Sequence, residues 1–110
     1  MSGREERIAA NEALFREVNE HIDSLSRSLV DTASTIEIVC ECGDPTCLER
    51  ISLSIGDYEA VRATPLHFAV LPGHELPDVE DVVDDLGHYL VVRKNAPAGV
   101  AVAEATDPRG

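Results

Sequence analysis

Every cysteine of the chain falls inside one run of eight residues, "CECGDPTC" at positions 40 to 47. No other feature restricts the fold as much. Cys40 and Cys42 sit two apart, so on extended backbone both side chains project from the same face. Gly43 and Pro45 flank Asp44 and predict a tight turn that carries Cys47 back towards the pair. Thiolate sulfurs gathered in this way repel one another and call for a cation. Zn²⁺ supplies one and keeps the thiols deprotonated, so the spacing predicts a zinc knuckle at a hairpin tip.

A closed tetrahedral site needs a fourth donor, and the chain offers His21, His67, His74 and His88. His74 is the preferred one, because "LPGH" ends a strand and puts an imidazole on a glycine-turned loop. His67 and His88 lie at strand starts, and His21 falls off the apolar stripe of a helix. Asp44 or a water would instead leave an open, catalytic kind of position. Two other readings of the thiols stand beside zinc: small buried hydrophobes or a redox switch without metal, and an iron–sulfur cluster with one ligand that is not cysteine.

Around this loop the chain reads as one domain, residues 1–110. The N-terminal region, residues 1–30, is predicted to be a long helix. Ile8, Phe15, Val18, Ile22, Leu25 and Leu29 repeat at heptad spacing, with Asn11 at the one polar position. Glu5, Glu6, Glu12, Arg16, Glu17 and Glu20 fall off that stripe and are expected to face water. Such a helix outruns a small sheet, so its stripe is expected to meet a protein partner or a second copy of the chain.

From residue 36 to residue 94 the period drops to two. "TIEIVCEC" and "ERISLSI" predict a hairpin closed by the cysteine loop. Ser54 and Asp57 resemble a capping box ahead of a short helix, "IGDYEAVRA", which stops before Pro65. "LHFAVL" predicts a third strand. "DVEDVVDD" and "HYLVVRK" predict a second hairpin turning at Leu86–Gly87, its first strand an acidic edge that resists aggregation. "VEDVVDDL" also fits a helical period. Residues 95–110 form an Ala-rich tail with a turn or two of helix. The expected class is α+β: a long N-terminal helix packed on a small, mostly antiparallel sheet with a zinc knuckle.

The words "LFREVNEHI", "CECGDPTCLERISLS", "YEAVRATPLHFAVLPGH" and "YLVVRK" resemble a family of small uncharacterised bacterial proteins. In that family an FREVNE helix precedes a CEC…C loop and a PGH turn. The likeness covers residues 12–94, and it implies that Cys40, Cys42 and Cys47 belong with His74. It implies no activity.

Charge and composition limit the partners. Nine Lys and Arg stand against 21 Asp and Glu, a formal net charge of −12, so phosphate backbones and anionic membrane surfaces would repel the chain. Two Phe, two Tyr and no Trp leave little for a base-stacking platform. A basic protein partner remains compatible with the acidic surface. "MSGREERIAANEALF" is charged from its fourth residue and lacks the apolar run of a signal peptide, so a cytoplasmic location with reduced thiols is expected. Three cysteines also make an odd count for a disulfide framework. No Gly-rich phosphate loop, G-x-S-x-G elbow or H-E-x-x-H helix occurs. The expected role is that of a non-catalytic zinc-binding interaction or regulatory module. The alternatives are a zinc/thiol redox sensor and, behind it, a zinc hydrolase with an open coordination position.

Overall fold

A computed structural model describes residues 3–109; Met1, Ser2 and Gly110, the ends of the expected helical and tail regions, lie outside them. Helix α1 (Gly3–Leu29) runs along the molecule, whose extents are 44 × 29 × 24 Å. Glu5 and Glu6 in its first turn and Arg27 in its last suit the helix dipole. Asp31 then breaks the helix, its Oδ1 accepting the Ala33 N–H at 3.0 Å.

Strands β1 (Thr35–Val39) and β2 (Arg50–Ser54) form an antiparallel hairpin with Ile36 opposite Leu53 and Ile38 opposite Ile51. These four face the core, while Thr35, Glu37, Arg50 and Ser52 face out, as the period of two requires. Ser54 caps α2 (Ile55–Arg62) by accepting the Asp57 N–H on its side-chain oxygen at 3.0 Å. Strand β3 (His67–Val70) pairs with β5 (Leu90–Lys94), and β5 with β4 (Glu80–Asp85), giving the order β3-β5-β4. Gly87, at φ +89°, turns β4 into β5. β4 is a strand rather than a helix, lies at the sheet edge and carries a bulge between Val82 and Asp84. The tail forms α3 (Pro97–Ala105), entered through Pro97.

Among the described residues all strand pairs are antiparallel and fall in two small sheets instead of one. The sheets meet where the chain leaves β1. There the Glu41 N–H donates to the Ala69 carbonyl at 2.8 Å, and Glu41 Oε1 accepts the Ala69 N–H at 2.9 Å. One residue thus satisfies both outward backbone groups of Ala69 on the open edge of β3. His88 adds a second tie through Nε2 to the Ser52 carbonyl at 2.7 Å. Ile38, Ile51, Ile55, Tyr58, Phe68, Val70 and Val92 fill the shared core.

The face that α1 turns inward differs from the expected stripe. Ile8 and Phe15 are buried and Ile22 is half-buried, one residue per heptad. Val18, Leu25 and Leu29 are exposed. Glu12 and Arg16, expected in water, are instead fully buried, together with Asn19 and Asp23. Glu12, Arg16 and Asn19 each meet partners from distant parts of the chain. The Arg16 guanidinium donates to the Pro65 and Ala103 carbonyls at 2.6 and 2.9 Å and to Thr106 Oγ1 at 3.1 Å. It thereby puts a cation on the C-terminal turn of α3, and it stacks 4.8 Å above the Phe68 ring centre. Lys94 Nζ stands 2.9 Å from Glu12 Oε1 and 3.2 Å from Glu80 Oε1. Gly99 gives Lys94 its passage, since a Cβ there would lie 2.9 Å from the Lys94 Cε. Asn19 pairs with both backbone groups of Val39, at 2.7 and 2.8 Å. Helical periodicity of apolar residues misses this face because its contacts are made by charges and amides.

Among the described residues no helix is long and apolar enough to cross a membrane.

Candidate metal centre

Two proline turns build the site. In the first, Asp44 to Cys47, the Cys47 N–H reaches the Asp44 carbonyl at 3.1 Å with Pro45 in the second position. Asp44 Oδ1 fixes that turn by accepting from Thr46 N at 2.9 Å and from Thr46 Oγ1 at 2.7 Å. In the second, Leu71 to His74, the His74 N–H reaches the Leu71 carbonyl at 3.0 Å. Pro72 is again second and Gly73, at φ +90°, is third, the sequence demanded by a type II turn. One turn returns Cys47 to the neighbourhood of Cys40 and Cys42; the other swings His74 in from the far end of β3.

Helix α1 closes the back of the loop. A Cβ on Gly43 would stand 2.6 Å from Ile8 Cγ2, so only glycine lets the loop lie against the helix. Asn11 Nδ2 donates to the Gly43 carbonyl at 3.2 Å. The polar heptad position therefore holds the cysteine loop.

Cys40, Cys42, Cys47 and His74 come together with their four ligand atoms within 4.8 Å of one another. Cys40 Sγ and Cys47 Sγ lie 3.7 and 3.5 Å from His74 Nδ1. Zinc bonds of about 2.3 Å to sulfur and 2.0–2.1 Å to nitrogen make tetrahedral S···N edges of about 3.6 Å. Those two spacings thus match the edges around one ion, and the four residues could hold a metal. The three thiols are buried and none is in a disulfide. His74 Nε2, on the side away from the sulfurs, lies 3.3 Å from Glu49 Oε2. A carboxylate on the outer nitrogen fixes the tautomer that leaves Nδ1 free to ligate.

The thiols are unlike one another. A hydrogen bond from Cys40 is the chief cause holding the Cys42 thiol well below the usual thiol range, with His74 and the Asp44 backbone assisting. That same bond, followed by burial, raises Cys40. Burial raises Cys47 as well. Left without a cation, the cluster favours a single thiolate at Cys42. A divalent ion would supply the charge that lets the other two ionise.

Among the remaining histidines, His21 is exposed on α1, His67 opens β3, and His88 bonds to Ser52. None belongs to the cluster. Glu37 and Asp44 are exposed, but Glu41 is buried. Besides Ala69, its carboxylate takes hydrogen bonds from Asn19 Nδ2 and the Tyr58 hydroxyl, both at 2.9 Å, and from Arg62 at 3.4 Å. The signal for it was present in "CEC". If Cys40 and Cys42 face an ion, the residue between them faces the opposite way, here into the core. Such a carboxylate, bonded through α1, α2 and β3, positions both neighbouring cysteines.

A cleft of about 270 Å³ opens beside the cluster, lined by Cys42, Gly43, Asp44, Gly73, His74 and Leu76. No family model, curated protein or solved structure matches this chain.

Proposed function

We propose that the chain is a non-catalytic zinc-binding module. In this reading Cys40, Cys42, Cys47 and His74 hold one structural Zn²⁺, and the fold so fixed presents α1 to a protein partner. The observation that carries it is the donor set: three buried thiols and an imidazole gathered within 4.8 Å, with two sulfur–nitrogen distances that match the edges of a zinc tetrahedron. Four protein donors leave no position for a substrate water, which favours a structural role over hydrolysis. The ion would sit where the β1–β2 hairpin meets the end of β3, tying both sheets together. Reduced thiols suit a reducing compartment such as the cytoplasm. The bacterial proteins with the same motif words would share this centre.

One observation favours a second reading, a zinc/thiol redox sensor. Of the three thiols only Cys42 lines the cleft beside the cluster. Oxidation of Cys42 by a peroxide entering there would remove a ligand and release the ion.

Native mass spectrometry of the purified chain tests the main reading. The expected result is one zinc per chain, with three thiols that become titratable only after chelation. A metal-free chain with three freely reacting thiols would contradict it.

A further inference from the structure

Opposite its buried charges, α1 carries a second row of apolar residues. Leu14, Val18, Leu25 and Leu29 are 58, 41, 67 and 80% exposed. With the exposed His21 they follow one another at spacings of four, three, four and four, a continuous stripe about 23 Å long at 1.5 Å per residue. Scattered exposed leucines are ordinary; a continuous stripe of them marks a contact surface. The charges agree. In a chain with 21 acids, Glu17 is the only acid among the exposed α1 residues from Arg7 to Leu29.

We propose that this stripe joins two copies of the chain, α1 lying antiparallel on α1. This names the partner of the interaction module inferred above. The stripe matches its own reversal. With the two-fold axis between positions 19 and 20, Leu14 faces Leu25 of the second copy, Val18 faces His21, and the small Ala10 faces the long Leu29. The same register brings Glu17 beside His21 and Ser24 of the second copy. A parallel pair would instead set Glu17 against Glu17 and Arg7 against Arg7, which like-charge repulsion disfavours. A foreign helix would need no such symmetry in this face, so a second copy is the occupant to which it points. The C-terminal segment borders the stripe without covering it. Arg109 anchors that segment through Glu20 at 2.7 and 2.8 Å, and Pro108 lies near Glu17, His21 and Ser24.

Sedimentation of the intact chain from micromolar to millimolar concentration, with zinc content measured on the same samples, tests the pairing. The wild type is expected to pass from monomer to dimer. Leu14→Glu/Leu25→Glu should stay monomeric with an unchanged circular dichroism spectrum, because both positions are exposed in the monomer. Each single Glu variant should associate about a hundredfold more weakly, since each removes two buried leucines from the dimer. Leu14→Glu/Leu25→Lys should dimerise again and become salt-sensitive, because only the antiparallel register sets Glu against Lys. A wild type monomeric throughout, a dimer that survives the double Glu exchange, or a Glu/Lys variant that stays monomeric would each overturn the proposal. A monomer that keeps its zinc would refute the pairing alone. A dimer without zinc would refute the zinc module alone.

Discussion

The molecule buries polar groups in two regions by different means. At one end, three thiols and an imidazole converge within 4.8 Å on two proline turns. Along the middle, Glu12, Arg16, Asn19 and Asp23 form a buried face of α1 whose partners are carbonyls, a lysine and other carboxylates. In the proposed reading the first region becomes complete by taking up an ion. The second is paired only when distant parts of the same chain arrive: Lys94 for Glu12, the end of α3 for Arg16, β1 for Asn19. Glu41 joins the two, lying between two ligands in sequence and bonded to Asn19, Tyr58 and Arg62 in space. The difference separates two kinds of polar burial. One is specified by local spacing and a solute from outside; the other is specified by long-range pairing within the chain.

Removing the ion should have the largest effect. Cys42→Ser, or chelation of the wild type, is expected to lower the melting temperature by on the order of 10 °C or more, since metal binding contributes directly to folding free energy. Thermal unfolding followed by circular dichroism measures this. An unchanged transition would mean that the charged face alone holds the fold. The bridge comes next. Glu41→Ala leaves the Tyr58 hydroxyl and the Ala69 N–H without their acceptor and the buried Arg62 without its counter-charge, and should cost about 3–5 kcal/mol in urea unfolding. If that variant also loses its zinc, the two regions form one cooperative unit; if zinc is retained at full occupancy, they are separable.

The last test, read only as a pH dependence, concerns the charged face alone. Burial, together with the hydrogen bond and repulsion from Glu80, pushes the Glu12 carboxyl up from 4.5 to about 9. The folded state therefore keeps a proton that the unfolded chain has lost. Its contribution to stability is full below about 4.5 and declines as pH rises to about 9. Glu12→Gln keeps a neutral group of the same shape there. Urea unfolding across pH 5 to 9 should show a flatter profile for the variant and greater stability than wild type at the alkaline end. Parallel profiles would show that Glu12 is ionised in the fold.

This division also explains what could be read from the sequence. The cysteine loop, the PGH turn and the Ser54 cap are local, so spacing and turn chemistry are enough to place them, whereas the edge strand β4 also fits a helical period and is settled by its pairing with β5. The face of α1 was misjudged because its heptad of apolar residues is split. Ile8, Phe15 and Ile22 turn inward, while Val18, Leu25 and Leu29 turn out. Glu12 and Arg16 look like surface residues until Lys94 and the end of α3, about 80 to 90 positions along the chain, are seen to meet them. No local pattern carries that information. Glu41 lies between these cases: its inward direction follows from "CEC", whereas its four partners do not.

X-ray absorption at the zinc edge of the purified protein tests the metal centre most directly. The expected spectrum has three sulfur neighbours at about 2.3 Å and one nitrogen at about 2.0–2.1 Å, with the nitrogen lost in His74→Ala. Absence of zinc, an iron–sulfur signature, or a shell with two or fewer sulfurs completed by oxygen would contradict the Cys40, Cys42, Cys47 and His74 site.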